Sequence, residues 1–306
     1  MFKTLAPAKI NLHLHITGIT PQGYHLLDTS FAYVDVYDVL QIEEAEYVRV
    51  TCSDASLDGE SNLVFRVLHA LRETYQVAHG IHVHVEKNLP SQAGLGGGSS
   101  DAATALIAAN HLWGLDLTSN ELSTFATPFG ADIPCFLFGA ASIGHGIGDK
   151  LEPLELSKGP QHVVLAHPGV GLSTAEVFAH FDSVHAAHPG QLTLTRAKAT
   201  MRAGLTAGAA QALPLGENML EDVSLKMCPE LAHLLAEMRQ AEPASWMSGS
   251  GTACISLCES AGQAEKLAGH LVANQFATWT HAGTLLASHP LFNSSMQPAD
   301  WGVAKR

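Results

Sequence analysis

The chain contains no run of about 18 apolar residues uninterrupted by charge, so a membrane-spanning helix is not expected. Nor does a separate apolar signal segment precede the first strand pattern. Met1-Phe2-Lys3-Thr4-Leu5-Ala6-Pro7 runs straight into it, and a cytoplasmic location is expected. Cysteine is sparse. The five residues Cys52, Cys135, Cys228, Cys254 and Cys258 are scattered, odd in number and free of any Cys-x-x-Cys pair, which argues against a disulfide framework and against a zinc site. Positive charge is scarce as well: 16 Lys and Arg face 29 Asp and Glu, a formal charge of −13, which repels a phosphate backbone and disfavours a nucleic-acid partner. An anionic small molecule stays allowed, because screening over about 8 Å lets a few local lysines dominate a site. There is no internal repeat and no low-complexity tract. What the chain does have is length. Its 306 residues leave room for two domains of ordinary size; a monomer and a homodimer are both compatible with that.

Along the chain, Ile10, Leu12, Leu14 and Ile16 alternate with Lys9, Asn11, His13 and His15, the period-2 signature of a half-buried strand with one polar face. Residues 61–75 change to helical spacing through Leu63, Val67, Leu68 and Leu71, and Gly80–Lys87 returns to alternation through Ile81, Val83 and Val85. Gly94-Leu95-Gly96-Gly97-Gly98-Ser99-Ser100-Asp101 follows, then the helix formers Ala102–Ala109. Thr118-Ser119-Asn120-Glu121 reads as a capping box opening another helix. Strand-like stretches lie near 140–146 and 162–167. Ser157-Lys158-Gly159-Pro160 is polar and irregular, and places a domain boundary near 157. Beyond it, Val163–Ala166 and Ala253–Leu257 read as strands, Pro229–Gln240 and Ala261–Asn274 as amphipathic helices. The expected division is 1–157, 158–290 and a weakly patterned tail, 291–306, partly mobile.

Three consecutive glycines between a strand and a helix let backbone approach a ligand closely, and the first helical turn offers unpaired N–H groups to a phosphate. No Lys follows the last glycine, so this is not a Walker A loop, and the third glycine of the dinucleotide fingerprint is missing. A tight connector needing positive φ angles would look the same. The longer string Pro90-Ser91-Gln92-Ala93-Gly94-Leu95-Gly96-Gly97-Gly98-Ser99-Ser100-Asp101-Ala102-Ala103 nevertheless resembles the phosphate-binding motif of the GHMP kinases. Three more segments resemble that family's motifs in order: Pro7-Ala8-Lys9-Ile10-Asn11-Leu12, Gly130-Ala131-Asp132-Ile133-Pro134 and Met247-Ser248-Gly249-Ser250-Gly251-Thr252.

The resemblance implies a two-domain α+β fold. Its amino-terminal α/β domain would have a left-handed crossover, ribosomal-protein-like topology, its carboxyl-terminal domain would be ferredoxin-like, and the active site would lie in the cleft between them. It implies phosphoryl transfer from ATP to an alcohol, with Asp132 accepting the hydroxyl proton and Lys9 stabilising the developing charge. Pro90, Gly94, Leu95, Gly96, Gly97, Gly98, Ser99 and Ser100 would line the ATP phosphates, and Mg²⁺ would be the metal, with Ser99 or Ser100 its nearest hydroxyl. Asn62 and Lys87 match positions near the adenine, although Asn62 could simply cap a helix and Lys87 end an edge strand. An Asp at a turn can also be a helix cap, a strand-face Lys can be merely solvated, and 247–252 can be a hairpin turn.

Within the family, Gly23-Tyr24-His25 and Thr174 and Phe178 of Ser173-Thr174-Ala175-Glu176-Val177-Phe178 resemble the cytidine-recognition segments of the branch that acts on a cytidine-diphosphate-linked polyol in isoprenoid precursor synthesis. Asn11, Gly249, Ser250 and Gly251 would complete the substrate side. Two rings can sandwich a pyrimidine and an imidazole can bond its edge, but the same residues read as core aromatics and a surface histidine. Homoserine, mevalonate or a sugar as acceptor, and a non-catalytic nucleotide sensor on the same scaffold, are the alternatives. Among the 18 histidines, the pairs His13/His15 and His82/His84 lie on single strand faces; without a third ligand in sequence they read as hydrogen-bonded or exposed rather than metal-binding.

Overall fold

The structure, a computed structural model, describes residues 1–156, 161–185 and 215–292. The first half consists of β1 (Phe2–Ile19), β2 (His25–Ala45), β3 (Arg49–Cys52), α1 (Leu63–Thr74), β4 (Gly80–Glu86), α2 (Gly97–Leu112), α3 (Ser119–Ala126), α4 (Ile133–Phe138), β5 (Ser142–His145) and β6 (Lys150–Pro153). The second holds β7 (His162–His167), α5 (Thr174–His185), α6 (Glu221–Met227), α7 (Pro229–Ala241), β8 (Ser245–Met247), β9 (Cys254–Cys258), α8 (Ala261–Ala273) and β10 (Trp279–Leu286).

The alternation at 8–16 extends into a long hairpin, β1 antiparallel to β2, with register shifts at Pro7/Ala8, Asn11/His13 and Ile16/Gly18. Its polar face is not exposed as the half-buried pattern implies. Lys9, Asn11, His13 and His15 are all at most 8 % exposed, because the second half of the chain lies across them. Burying such groups is tolerable only when they are hydrogen-bonded, and each is. α1 forms where the periodicity put it: Val64, Val67, Leu68 and Leu71 are buried, each contributing about 2 kcal/mol. α3 carries both bonds of the capping box between Thr118 and Glu121.

The sheet runs β3-β4-β2-β10-β7-β9-β8, with β1 and β5 also on β2 and β6 on β5; among the described strands only the β3–β4 pairing is parallel. β10 stitches the halves together, pairing Leu285 and Leu286 with β2 and residues Trp279–Thr284 with β7. Helices α1, α2 and α4 cover one core with β2 and β4, α5–α8 cover another with β7 and β9, and a third cluster, including Ile10, Leu12, Leu95 and Trp246, fills the junction. The cleft-forming elements are therefore held from beneath by apolar packing. The boundary segment 157–160 and residues 293–306 of the tail lie outside the described residues. The start of the tail is packed: Ala141 N–H bonds Ala287 O, and Leu291 is buried in the first core. Among the described residues no helix is long and apolar enough to cross a membrane.

Candidate active site

Gly96, at φ +69, turns the chain left-handed and starts α2 at Gly97, earlier than the helix-forming alanines suggest. The Gly97 backbone has little space for a side chain, since a Cβ there would lie 3.3 Å from Lys87 Nζ. No side chain caps α2 and no acidic residue occupies its first turn, so its leading N–H groups and positive dipole end stay available to an anion. The loop before it is tied on two sides. Leu95 O accepts from Lys9 N at 2.9 Å, and Gly94 O accepts from Ser248 Oγ at 3.0 Å. A Cβ on Gly94, whose φ is +75, would collide with the Ser248 carbonyl, so close backbone contact with the second half requires glycine.

Lys9 Nζ stands 3.4 Å from Asp132 Oδ2 and donates to Asn11 Oδ1 at 2.8 Å. Its stem lies beside Gly96, where a Cβ would meet Lys9 Cγ at 3.0 Å. Asp132 occupies the N-cap position of α4 but makes no capping bond; its side chain, 41 % exposed, is directed at Lys9. Both plain alternatives therefore fail: the Lys is buried, not solvated, and the Asp is not spent on its helix. Asn11 is fixed by Thr29 Oγ1 at 2.9 Å, a partner that the sequence reading did not single out.

Residues 247–252 do join two antiparallel strands, β8 and β9. The connection also reaches the site. Gly249 lies against Asn11 and Gly94, and Ser250 Oγ is 2.8 Å from Thr174 Oγ1. Asn218, unsuspected from sequence, holds it by donating to Met247 O and Gly249 O. At the far end of the β1–β2 hairpin, Tyr24 is 63 % exposed, whereas His25 packs on Phe178 with ring centroids 4.5 Å apart. The plain reading of His25 as a surface residue is overturned by that contact and by its bond to Asp182.

Lys87 and Asn62, the positions expected near the adenine, both have partners within the chain. Lys87 does not end an edge strand, since β4 is paired on both sides. Its ammonium lies beneath Gly97 between Asp38 and Asp101, at 2.8 Å from the latter. Burial works against that charge, but the two carboxylates outweigh it and push Lys87 up to about 12. Burial raises Asp101 to about 7, with Lys87 opposing and Asp38 adding to the rise. Asn62 is the cap of α1, accepting from Val64 N at 2.8 Å and donating to Leu57 O at 2.7 Å. Pro90 precedes the loop. Ser99 is half-buried near Gly130, while Ser100 is fully buried with an unpartnered Oγ. Among the described residues no group of three or more His, Cys, Asp and Glu side chains forms a metal centre; His82 and His84 share Thr51, and His13 and His15 bond Asp28 and Glu217.

A glycine-rich helix start beside a buried Lys paired with a partly exposed Asp, with backbone braced by the second half, is an arrangement for phosphoryl transfer. The chain belongs to the GHMP kinase family. Residues 62–140 match the GHMP kinases N terminal domain and residues 198–277 the GHMP kinases C terminal domain. Among its relatives, the 4-diphosphocytidyl-2-C-methyl-D-erythritol kinase of an Acidovorax species is 38 % identical over 256 residues, 83 % of this chain and 86 % of that one. The kinase of the same name from Chromobacterium violaceum is 34 % identical, over 95 % of this chain and 96 % of its own. A crystal structure of 4-(cytidine 5'-diphospho)-2C-methyl-D-erythritol kinase superposes with a TM-score of 0.73 at 31 % identity, covering 92 % of this chain and 98 % of that chain. The two-domain α+β GHMP kinase fold is thus established, and with it an ATP-dependent kinase acting on a small molecule.

Proposed function

We propose that this chain transfers the γ-phosphoryl group of ATP to the 2-hydroxyl of 4-diphosphocytidyl-2-C-methyl-D-erythritol, an ATP-dependent step of isoprenoid precursor synthesis. The observation that carries the reaction class is the 3.4 Å approach of Lys9 Nζ to Asp132 Oδ2 beside the start of α2. The substrate follows from the relatives' names together with the His25–Phe178 contact, which suits a pyrimidine better than homoserine or mevalonate.

In this reading residues 1–157 carry the phosphate loop and the catalytic pair, and residues 158–290 close the cleft. The triphosphate lies across Gly94–Ser99, its negative charge met by the N–H groups of α2. Asp132 holds the acceptor hydroxyl in line and Lys9 neutralises charge on the carboxylate and the transferring group. A magnitude limits the role of basicity. An alcohol near pKa 15–16 and a carboxylic acid near 4 differ by about 12 units, or about 16 kcal/mol, too much for proton removal before attack. The proton moves late, consistent with a loose transition state that needs little nucleophile activation.

Mg²⁺ fits the donor set: the half-exposed Ser99 Oγ is reachable, Ser100 Oγ is enclosed, and the remaining oxygens would be phosphate and water. Bound there, it would supply neutralisation of phosphate charge. Asn11, Thr174, Ser250 and the Gly249 and Gly251 backbone border the polyol and its diphosphate, and Tyr24, His25 and Phe178 the cytosine. A coupled ADP-release assay against a panel of alcohols tests this. Turnover with the cytidine-diphosphate-linked polyol is expected, and turnover with homoserine or mevalonate alone would overturn it.

A further inference from the structure

Resting on the cytosine reading above, we propose that Asp182 is a positioning residue that sets the base preference of this enzyme. It does so by fixing the tautomer of His25. Asp182 follows Phe178 by four residues on α5, so both side chains leave the helix on one face. His25 opens β2 opposite Ile19, immediately after the turn at Gly23, whose φ is +88. Thr20 N bonds Tyr24 O at 2.7 Å and Tyr24 N bonds Thr20 Oγ1 at 3.0 Å, which holds the hairpin end in place. α5 then grips the imidazole twice, with the Phe178 ring against its face and Asp182 Oδ1 2.8 Å from its Nε2.

An ionised carboxylate only accepts hydrogen bonds, so a 2.8 Å contact requires the proton on Nε2. In the neutral ring that leaves Nδ1 as a lone-pair acceptor. Among the described residues no hydrogen bond of the His25 ring other than that to Asp182 is present. The two pyrimidines differ at the edge such an acceptor would read. Cytosine presents its exocyclic amino donor, whereas uracil presents a carbonyl oxygen, which would set lone pair against lone pair. The His25 side chain is 13 % exposed, so the mismatch could not be relieved by water as it would be on an open surface. Asp182 itself is 44 % exposed, and its replacement should not threaten the fold.

The experiment measures binding of CDP and of UDP, and KM and kcat for the cytidine substrate, at pH 8. Wild-type protein and the variants Asp182→Asn, Asp182→Ala and Asp182→Glu are compared. The asparagine amide can turn its NH₂ toward Nε2 and release the proton to Nδ1, and alanine leaves the tautomer unset. The expected result is CDP binding weakened about tenfold in the Asn and Ala variants, equivalent to about 1.4 kcal/mol, with UDP binding changed less than about twofold. The loss should fall on KM more than on kcat, and glutamate should recover part of it. A ¹⁵N spectrum of wild-type protein should show the His25 proton on Nε2.

The outcomes separate the two layers of the argument. Wild-type protein that binds CDP and UDP equally would overturn the cytosine reading itself. A CDP preference that survives in Asp182→Asn and Asp182→Ala would sink only the role given to Asp182. Equal weakening of both ligands would also sink it, by making Asp182 a pin between hairpin and helix with no part in base choice.

Discussion

Replacing Asp101 by asparagine should stabilise the protein at pH 8 and fail to do so at pH 5. Asp101 is buried with Asp38 and Lys87, two carboxylates against one ammonium, and its Oδ1 has no partner among the described residues. Burial raises it to about 7, whereas an unfolded Asp titrates near 3.9. Between those values the folded chain keeps a proton that the unfolded chain has released, so the unfolding free energy falls as pH rises through that window. About three pH units at 1.36 kcal/mol each amount to a cost of about 4 kcal/mol above pH 7. The amide carries no charge at any pH and escapes that cost. It leaves its own Nδ2 donor where Oδ1 lacks a partner, which costs about 1–3 kcal/mol. The net gain is about 2 kcal/mol at pH 8. At pH 5 only about a third of the wild-type cost has accrued, and the gain disappears. Urea unfolding of both proteins at the two pH values reads the difference directly, since other titrating groups cancel between variant and wild type. Equal destabilisation of Asp101→Asn at both pH values would refute the reasoning, because the carboxylate would then be acting as a favourable partner of Lys87 throughout.

Asp132→Asn should keep ATP affinity and lower kcat by about 10²–10⁴; an unchanged kcat would remove Asp132 from the reaction. Gly96→Ala forces a side chain into a left-handed position at φ +69 and against Lys9 and Phe136, and should cost about 1–2 kcal/mol of stability while raising KM for ATP more than KM for the alcohol. Thermal unfolding with paired KM measurements checks it, and an unaffected KM for ATP would detach the loop from the nucleotide.

The local elements that carry chemistry were readable because each rests on short-range rules. The β1 alternation, the α1 periodicity, the Thr118 capping box and the glycine string before Ala102 all appear in sequence as they do in space. β2 was passed over. Asp28, Asp35, Asp38 and Glu43 interrupt its alternation, and their partners come from β1, from β10, from Lys87 just after β4 and from β4 itself, outside β2. Asp38 could have been noticed as a lone acid beside the apolar Val39 and Leu40, but not its pairing with Lys87. The polar face of β1 looked half-exposed for a similar reason, since what covers it includes Trp246 and Glu217. Thr29, Asn218 and Asp182 support the site through long-range bonds, and no spacing announces those.

Three of the matched segments meet at one hydroxyl, and that junction has a consequence for binding. Ser248 Oγ donates to Gly94 O at 3.0 Å and accepts from Asn11 N at 3.2 Å, so the phosphate loop, β1 and the β8–β9 connection share a single buried group. Ser248→Ala leaves both backbone groups unpaired at a site with no exposure, at a cost of about 2–4 kcal/mol in stability. It also loosens the ATP side and the alcohol side together, although the lost hydroxyl is already engaged with backbone on both sides. The KM values for ATP and for the cytidine substrate should therefore rise in parallel. A rise in one alone would mean that the two loops are held independently, and that the cleft is assembled from separate parts and not from one braced frame.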